Sequence, residues 1–240
     1  MRATAGVAER SSAGADSQAA LLFDLDGTLV DSVYQHVLAW TTALQEEGIE
    51  LSVWRIHRRI GMSGGLFVQA LSRETGRELS AEEVARLQEA HAREFLKRQH
   101  EVRPLPGAKD LLQYLSATGI PWAIATSGSQ RTAGPALKLL GIPEGTVVVT
   151  RDQVPFAKPD PHLFLKAAER LNVEVQNSIV VGDSVWDMLA AQRARALGVG
   201  LMSGGYGREE LERAGAFRVY EDPADLRAHT DELGIRVRKS

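Results

Sequence analysis

Two aspartates stand directly after the first strongly apolar run of the chain. Asp24 and Asp26 follow residues 20–23, a continuous apolar run typical of a strand buried on both faces of a parallel sheet. Residues i and i+2 of an extended chain point the same way, so both carboxylates are expected to face one cleft. Ligands of open α/β sheets bind at such strand ends. The same pair also fits a tight turn at Gly27, and taken alone it leaves both interpretations open.

A second pair of aspartates follows another apolar run. Asp183 and Asp187 come after residues 179–181, and a helix beginning near Ser184 would place both carboxylates on its first turn. The alternative is purely structural, because a helix favours an aspartate at its N-cap and another in its first turn.

Considered together, the four carboxylates favour a metal site. Two like charges 4 Å apart at an effective dielectric constant of 20 repel by about 4 kcal/mol, so their convergence requires raised pKa values or a bound cation. The ligands are oxygens, with no histidine or cysteine beside them in the sequence. This donor set predicts a hard ion, and Mg²⁺ is the best match.

Two further segments could bind an anion. Ser127 and Gly128 lie in a Thr-Ser-Gly-Ser run that follows an apolar strand and precedes a helix, although such a run is also an ordinary helix cap. Lys158 stands in Ala-Lys-Pro-Asp-Pro, where two prolines stiffen the chain before a helix. A lysine in a rigid loop is a better candidate for a fixed positive charge than one on an exposed helix.

The elements that must position these residues alternate along most of the chain. Short apolar strands are predicted at residues 20–23, 122–125, 147–149, 179–181, 199–201 and 217–219. Helices are predicted between them at residues 108–117, 136–140, 162–171, 185–197 and 209–214, the second delayed by Gly134 and Pro135. This alternation predicts an α/β fold with a doubly wound, Rossmann-like parallel sheet.

One stretch interrupts the alternation with helical patterns alone. Residues 32–103 predict an all-helical cap domain inserted into an α/β core formed by residues 20–31 and 104–240. Residues 1–19 are rich in alanine, glycine and serine and have no periodic pattern, which predicts a flexible N-terminal tail.

Composition excludes several classes of function. The 240 residues carry 28 lysines and arginines against 31 aspartates and glutamates, a net charge of −3, so no overall basic field attracts nucleic acid or an anionic membrane. The chain has no cysteine, which excludes a disulfide scaffold, thiolate zinc sites and a cysteine nucleophile. With no apolar run near the length of a membrane helix, a cytoplasmic protein is expected. Oligomeric state is not indicated.

The quoted motifs resemble, in order, the four motifs of the haloacid dehalogenase-like hydrolase superfamily. They are Asp-Leu-Asp-Gly-Thr at 24–28, Thr-Ser-Gly at 126–128, Lys-Pro at 158–159 and Gly-Asp-Ser-x-x-Asp at 182–187. The helical insert resembles the subfamily I cap of phosphoglycolate phosphatase and β-phosphoglucomutase relatives. The resemblance extends over about residues 20–230 and implies an Mg²⁺-dependent phosphatase that acts on a small phosphorylated metabolite.

The resemblance also implies a role for each matched residue. Asp24 would be the nucleophile and form an aspartyl-phosphate, and Asp26 would act as general acid and base. The metal would bind Asp24, the backbone carbonyl of Asp26 and Asp183, and Asp187 would support it. The phosphoryl oxygens would be held by a separate set, namely Ser127, Gly128 and Lys158.

Within the cap, the resemblance points to a loop at residues 61–65 that would reach the active site. His57, Arg59 and Ser63 are therefore expected to contact the substrate, although Arg59 also fits the solvated face of an amphipathic helix. β-Phosphoglucomutase-like caps typically place an arginine after the loop serine, where this chain has Gly64. This departure favours hydrolysis over the alternative, a phosphosugar mutase.

A haloacid dehalogenase and a signalling receiver domain fit the sequence less well. Dehalogenation does not need a second aspartate, and Asp26 is present. A receiver domain, which is also phosphorylated on an aspartate, has no helical insert at this place and uses the end of its third strand. The expected partner is a small phosphate ester, with no role for nucleic acid or membrane.

Overall fold

The computed structural model describes residues 19–235, so the predicted tail lies outside the described residues apart from Ala19. Six strands form one parallel sheet: β1 (Leu21–Phe23), β4 (Trp122–Ala125), β5 (Val148–Val149), β6 (Ile179–Gly182), β7 (Leu197–Leu201) and β8 (Ala216–Tyr220). Their order across the sheet is β5-β4-β1-β6-β7-β8. β1 therefore lies at the centre, hydrogen-bonded to β4 on one side and β6 on the other.

Helices cover both faces of the sheet because side chains alternate along the buried strands. Leu21 and Phe23 pack under α5 (Ala108–Ala117), α6 (Gln130–Leu140) and α10 (Pro223–Ala228). Leu22 points to the opposite face, where α7 (His162–Leu171) and α8 (Val185–Ala194) cover it. The short α9 (Arg208–Arg213) packs near α8 and β8. The predicted doubly wound α/β fold is confirmed.

The inserted segment contains the four remaining helices and a hydrophobic core of its own. They are α1 (Val33–Glu46), α2 (Val53–His57), α3 (Gly64–Thr75) and α4 (Ala81–Arg98). Trp40, Phe67 and Leu87 are among the buried residues that hold them together. We call residues 32–103 the cap and the rest of the described chain the core; these boundaries remain an interpretation.

Two short strands join cap and core. β2 (Val30–Asp31) pairs antiparallel with β3 (Arg103–Pro104), so the chain leaves and re-enters the core at one place. The cap also contacts the core directly. Its Ser63 amide donates to the Lys158 carbonyl at 3.2 Å, and Tyr206 of the core donates its hydroxyl to the Arg58 carbonyl at 2.8 Å. The cap therefore lies over the carboxyl edge of the sheet.

The structure corrects two predicted helices. α6 begins at Gln130, not at residue 136, because Ser129 caps it and accepts a hydrogen bond from Thr132, and the helix continues through Pro135. α8 ends at Ala194, before the predicted 197, because Arg195 adopts a left-handed conformation with φ of 60°. Between residues 19 and 235, no helix combines the length and the apolar character that crossing a membrane requires.

Candidate active site

The strand order brings three of the predicted motifs to one edge of the sheet. β1 ends immediately before Asp24, and its neighbour β6 ends immediately before Asp183. On the other side, β4 ends immediately before the loop that contains Ser127. Parallel neighbours end at the same edge, so residues more than a hundred positions apart in sequence meet in one cleft.

Three of the four aspartates form one buried cluster. Asp24, Asp183 and Asp187 each offer a carboxylate oxygen, and these oxygens lie within 4.8 Å of one another. Lys158 lies among them, fully buried, with its ammonium in contact with Asp24 and 2.8 Å from Oδ1 of Asp187. One cation thus faces three carboxylates, which leaves the cluster with an excess of negative charge.

The pKa values reflect this excess. Burial, together with the nearby charges of Asp187 and Asp26, raises the pKa of Asp24 to about 7, against the attraction of Lys158. Burial and the charges of Asp187 and Asp24 raise the pKa of Asp183 well above its ordinary value. Burial opposes the charge on Lys158, but Asp187 and Asp24 raise its pKa above the usual range. A divalent cation would relieve the repulsion that raises both aspartate pKa values.

Two glycines leave room for the carboxylate of Asp183. A Cβ on Gly27 would lie 2.5 Å from Oδ2 of Asp183, and one on Gly204 would overlap that same oxygen. Thr28 donates its hydroxyl to the other oxygen, Oδ1, at 3.0 Å. The cluster of oxygen donors and this close glycine cradle fit a hard cation such as Mg²⁺.

Asp26 stands apart from the carboxylate cluster. Its Oδ1 accepts a hydrogen bond from Ser32 at 2.6 Å and lies 3.3 Å from Nε2 of His36. Burial alone would raise the pKa of Asp26, but His36, Ser32 and Lys158 hold it below its ordinary value. A metal contact through the side chain of Asp26 does not fit this arrangement, and a contact through its backbone carbonyl stays a prediction.

The loop after β4 presents a free hydroxyl. Among the described residues, the buried Oγ of Ser127 has no hydrogen-bond partner, which suits a hydroxyl that awaits a ligand. The Gly128 amide, predicted to bind the phosphoryl group, donates instead to the Thr126 hydroxyl at 2.9 Å. Gly128 nevertheless lines the same cavity as Ser127.

A cavity of about 580 Å³ extends from this edge of the sheet to the cap. Its floor belongs to the core and includes Asp24, Asp26 and the 126–129 loop. Its cap wall includes His36, Trp40, Arg59, Gly64, Gly65, Phe67, Gln88, Glu89 and His91. A small molecule bound here would contact both parts of the protein.

Comparison with known proteins decides the family. A model of the haloacid dehalogenase-like hydrolases matches residues 18–195. The chain belongs to this family.

Hexitol phosphatase A of Escherichia coli is 35% identical over 72% of this chain and 78% of its own length. Phosphoglycolate phosphatase of Neisseria meningitidis is 34% identical over 77% and 80%. The crystal structure of a hydrolase from Pseudomonas syringae superposes with a TM-score of 0.88 at 53% identity, covering 90% of this chain and 99% of that one.

Of the three substrate contacts predicted in the cap of this haloacid dehalogenase-like hydrolase, one lines the cavity. Arg59 does so, but its guanidinium is paired with Glu74. His57 instead donates from Nε2 to the Gly204 carbonyl at 2.9 Å, and so holds the cap against the core. Ser63 caps α3 and is buried outside the cavity lining. For His57 and Ser63 the structure favours a structural role, because cap–core packing uses both.

Sequence reasoning missed the larger part of the cap wall. His36 and Trp40 are four residues apart on α1, and Gln88 and His91 are three apart on α4. This i, i+3 or i+4 spacing places each pair on one helical face, a signal that is present in the sequence. The same spacing is typical of any buried helical face, so it does not by itself distinguish a cavity from a core.

Proposed function

We propose that this chain is an Mg²⁺-dependent phosphatase that hydrolyses a small phosphomonoester through an aspartyl-phosphate. The observation that carries the proposal is the position of Asp24 on the cavity floor, with Lys158 in contact and Ser127 and Asp26 beside it. Family membership and the phosphatase names of the relatives above support the reaction class. A cytoplasmic location, expected from the composition, belongs to the same proposal.

In the first step, the carboxylate of Asp24 attacks phosphorus, and the bond from phosphorus to the ester oxygen breaks. Asp26, which also faces the cavity, delivers a proton to the departing oxygen from its protonated form, which its lowered pKa makes the minor one, so that an alcohol leaves. In the second step, Asp26 takes a proton from water, whose oxygen attacks phosphorus and releases phosphate from Asp24. The alcohol leaves with the proton of Asp26, and the proton taken from water restores Asp26 to its starting state.

The other residues hold the reacting groups. Lys158, fixed between Asp24 and Asp187, supplies positive charge beside the nucleophile, and the free hydroxyl of Ser127 can donate to a phosphoryl oxygen. Asp24, Asp183 and Asp187 would hold Mg²⁺, which when bound neutralises charge on the transferring phosphoryl group. Ser32 and His36 hold Asp26 in position to transfer protons.

A mutase remains the less supported alternative. The β-phosphoglucomutases among the structural neighbours are under 25% identical and share the fold alone. The relatives that are at least 30% identical include enzymes named as phosphatases. Mutase-like caps carry an arginine at the place where this chain has Gly64. Here Gly64 lines the cavity and has no side chain that could bind a second phosphate.

The test is phosphate release from a panel of sugar, polyol and carboxylic acid phosphates, with and without Mg²⁺. We expect release that requires the metal and is lost in Asp24→Asn. Isomerisation of a sugar phosphate without net release of phosphate would contradict hydrolysis, and release unaffected by Asp24→Asn would remove this residue as the nucleophile.

A further inference from the structure

Each arginine that lines the cavity is already engaged within the protein. The guanidinium of Arg131 is 2.7 Å from a carboxylate oxygen of Glu89, and that of Arg59 is paired with Glu74. Arg151 donates to the Val154 carbonyl at 2.7 Å. Among the described residues, Arg131 and Arg59 thus already have a carboxylate partner, so an anionic group bound to either guanidinium would compete with Glu89 or Glu74.

The Arg131–Glu89 pair is the decisive one because it joins the core and the cap at the cavity wall. Arg131 belongs to α6 of the core and Glu89 to α4 of the cap, and both line the cavity. Glu89 therefore neutralises a guanidinium on the helix that follows the 126–129 loop and also places a carboxylate in the cavity wall, where the remainder of a substrate would lie. A substrate that carries its own carboxylate would meet repulsion there.

Apart from Arg59, Glu89 and His36, the other cap residues named above as lining the cavity offer an apolar surface and hydrogen bonds. Trp40 packs between Phe67 and His91, with ring centroids 4.3 and 4.2 Å away. Gln88 lines the cavity beside them, and its amide can both donate and accept hydrogen bonds. Burial and the charge of His36 lower the pKa of His91 well below its ordinary value, so that this ring is neutral. Such a wall suits a group with hydroxyls and C–H faces.

We propose that the substrate is the monophosphate of an uncharged polyhydroxylated molecule, a polyol or sugar, and that the Arg131–Glu89 pair disfavours esters that carry a carboxylate. The inference rests on the proposed phosphatase function and narrows its substrate class. Phosphate would lie on the floor beside Asp24, and the hydroxylated chain would lie along Gln88 and Trp40.

The test uses two esters that differ at one carbon. Sorbitol 6-phosphate and 6-phosphogluconate have the same chain length and stereochemistry, but the first ends in a hydroxymethyl group and the second in a carboxylate. We expect kcat/KM for phosphate release to be about fivefold higher for sorbitol 6-phosphate, the upper scale of a charge interaction at a solvent-exposed pair. Hydrolysis of p-nitrophenyl phosphate, which has no hydroxylated chain, measures phosphate release without the contacts that such a chain would make with the cap wall.

A charge variant tests the cause. Glu89→Gln frees Arg131 and removes the repelling carboxylate. The ratio of kcat/KM for sorbitol 6-phosphate to that for 6-phosphogluconate should therefore fall by about threefold, the scale of an exposed ion pair. The change should come from a higher kcat/KM for 6-phosphogluconate. Glu82→Gln is the matched control, because it removes the same charge from the same helix at a residue outside the cavity lining, and should leave the preference unchanged.

The possible outcomes distinguish a failure of this substrate class from a failure of the proposed phosphatase function. Equal or better hydrolysis of 6-phosphogluconate, or release from p-nitrophenyl phosphate alone, would overturn the substrate class and leave the phosphatase intact. A preference unchanged by Glu89→Gln would overturn the role of the ion pair. No release from any ester would remove the proposed function and this inference with it.

Discussion

Nζ of Lys158 lies 2.8 Å from Oδ1 of Asp187, and neither side chain is exposed to solvent. Asp187 also accepts hydrogen bonds from the backbone and hydroxyl of Ser184, so it caps α8 and pairs with the lysine at once. The structural interpretation of this aspartate is therefore met by its contacts with Ser184, and its support of a metal site stays a prediction. A buried ion pair gains little over apolar packing, and Lys158 keeps a carboxylate partner when either Asp24 or Asp187 is replaced.

Replacing Asp187 by alanine should destabilise the fold more than the loss of a helix cap explains. We expect Asp187→Ala to lower the free energy of unfolding by about 3 kcal/mol, because it leaves the buried amide and hydroxyl of Ser184 without their acceptor, although Lys158 keeps its contact with Asp24. Ser184→Ala, which removes one of the hydrogen bonds to Asp187 and keeps the ion pair with Lys158, should cost about 1 kcal/mol. Urea denaturation of both variants measures the difference, and equal costs would show that the ion pair contributes nothing to stability.

Replacing Asp24 by asparagine should separate catalysis from folding. Asp24→Asn removes the nucleophile, and we expect phosphate release to fall by about a thousandfold or more. The fold should keep its stability, because the substitution removes one buried charge and leaves Lys158 paired with Asp187. Asp110→Asn, an exposed substitution on α5, is the control for activity. Unfolding of Asp24→Asn at a clearly lower urea concentration would contradict a purely catalytic role.

The strands that position Asp24 and Asp183 could be predicted because their signals are local. β1 and β6 are continuous apolar runs, and each is followed at once by an aspartate. β2 and β3 could not be predicted, because each has two residues and exists only through pairing with a segment some seventy positions away. Propensity carries no information about such a contact.

The side chains of the cap wall likewise could not be placed from the sequence, because their positions depend on tertiary contacts. His57 and Arg59 are two residues apart in a basic, helix-like stretch, yet one binds the core and the other lines the cavity. Their different surroundings depend on how α2 packs against the 202–204 turn, which is a tertiary contact. The sequence predicts α6 too short because Pro135 is unfavourable inside a helix, and the cap at Ser129 and the packing of Ala133 outweigh that cost.

Adding a single methyl group at Gly204, beside Asp183, should change the Mg²⁺ concentration that activity requires. In Gly204→Ala the new Cβ would overlap Oδ2 of Asp183, so the carboxylate must move away from its place in the cluster. We expect activity to need roughly tenfold more Mg²⁺, in line with the loss from disturbing a residue that supports a metal ligand. Chelation by EDTA should abolish wild-type activity, and added Mg²⁺ should restore it.

Gly207 provides the matched control in the same loop. A Cβ there would lie 3.5 Å from Oε2 of Glu210, an ordinary contact. Gly207→Ala should therefore keep the Mg²⁺ dependence of the wild type. A normal requirement in Gly204→Ala would show that Asp183 does not act as a metal ligand in its present position.

His91 should make the stability of the protein fall in mild acid. Burial and the charge of His36 hold the pKa of His91 well below 6.5, the value expected in the unfolded chain. Below pH 6.5 the unfolded chain therefore binds a proton that the folded protein does not, and unfolding becomes easier as the pH falls. We expect the wild type to lose about 1 kcal/mol more than His91→Gln between pH 7.5 and 5.5, measured by urea denaturation. His100→Gln, at an exposed position outside the cavity, should lose as much as the wild type; equal losses in His91→Gln and the wild type would show that His91 takes up its proton in the folded state.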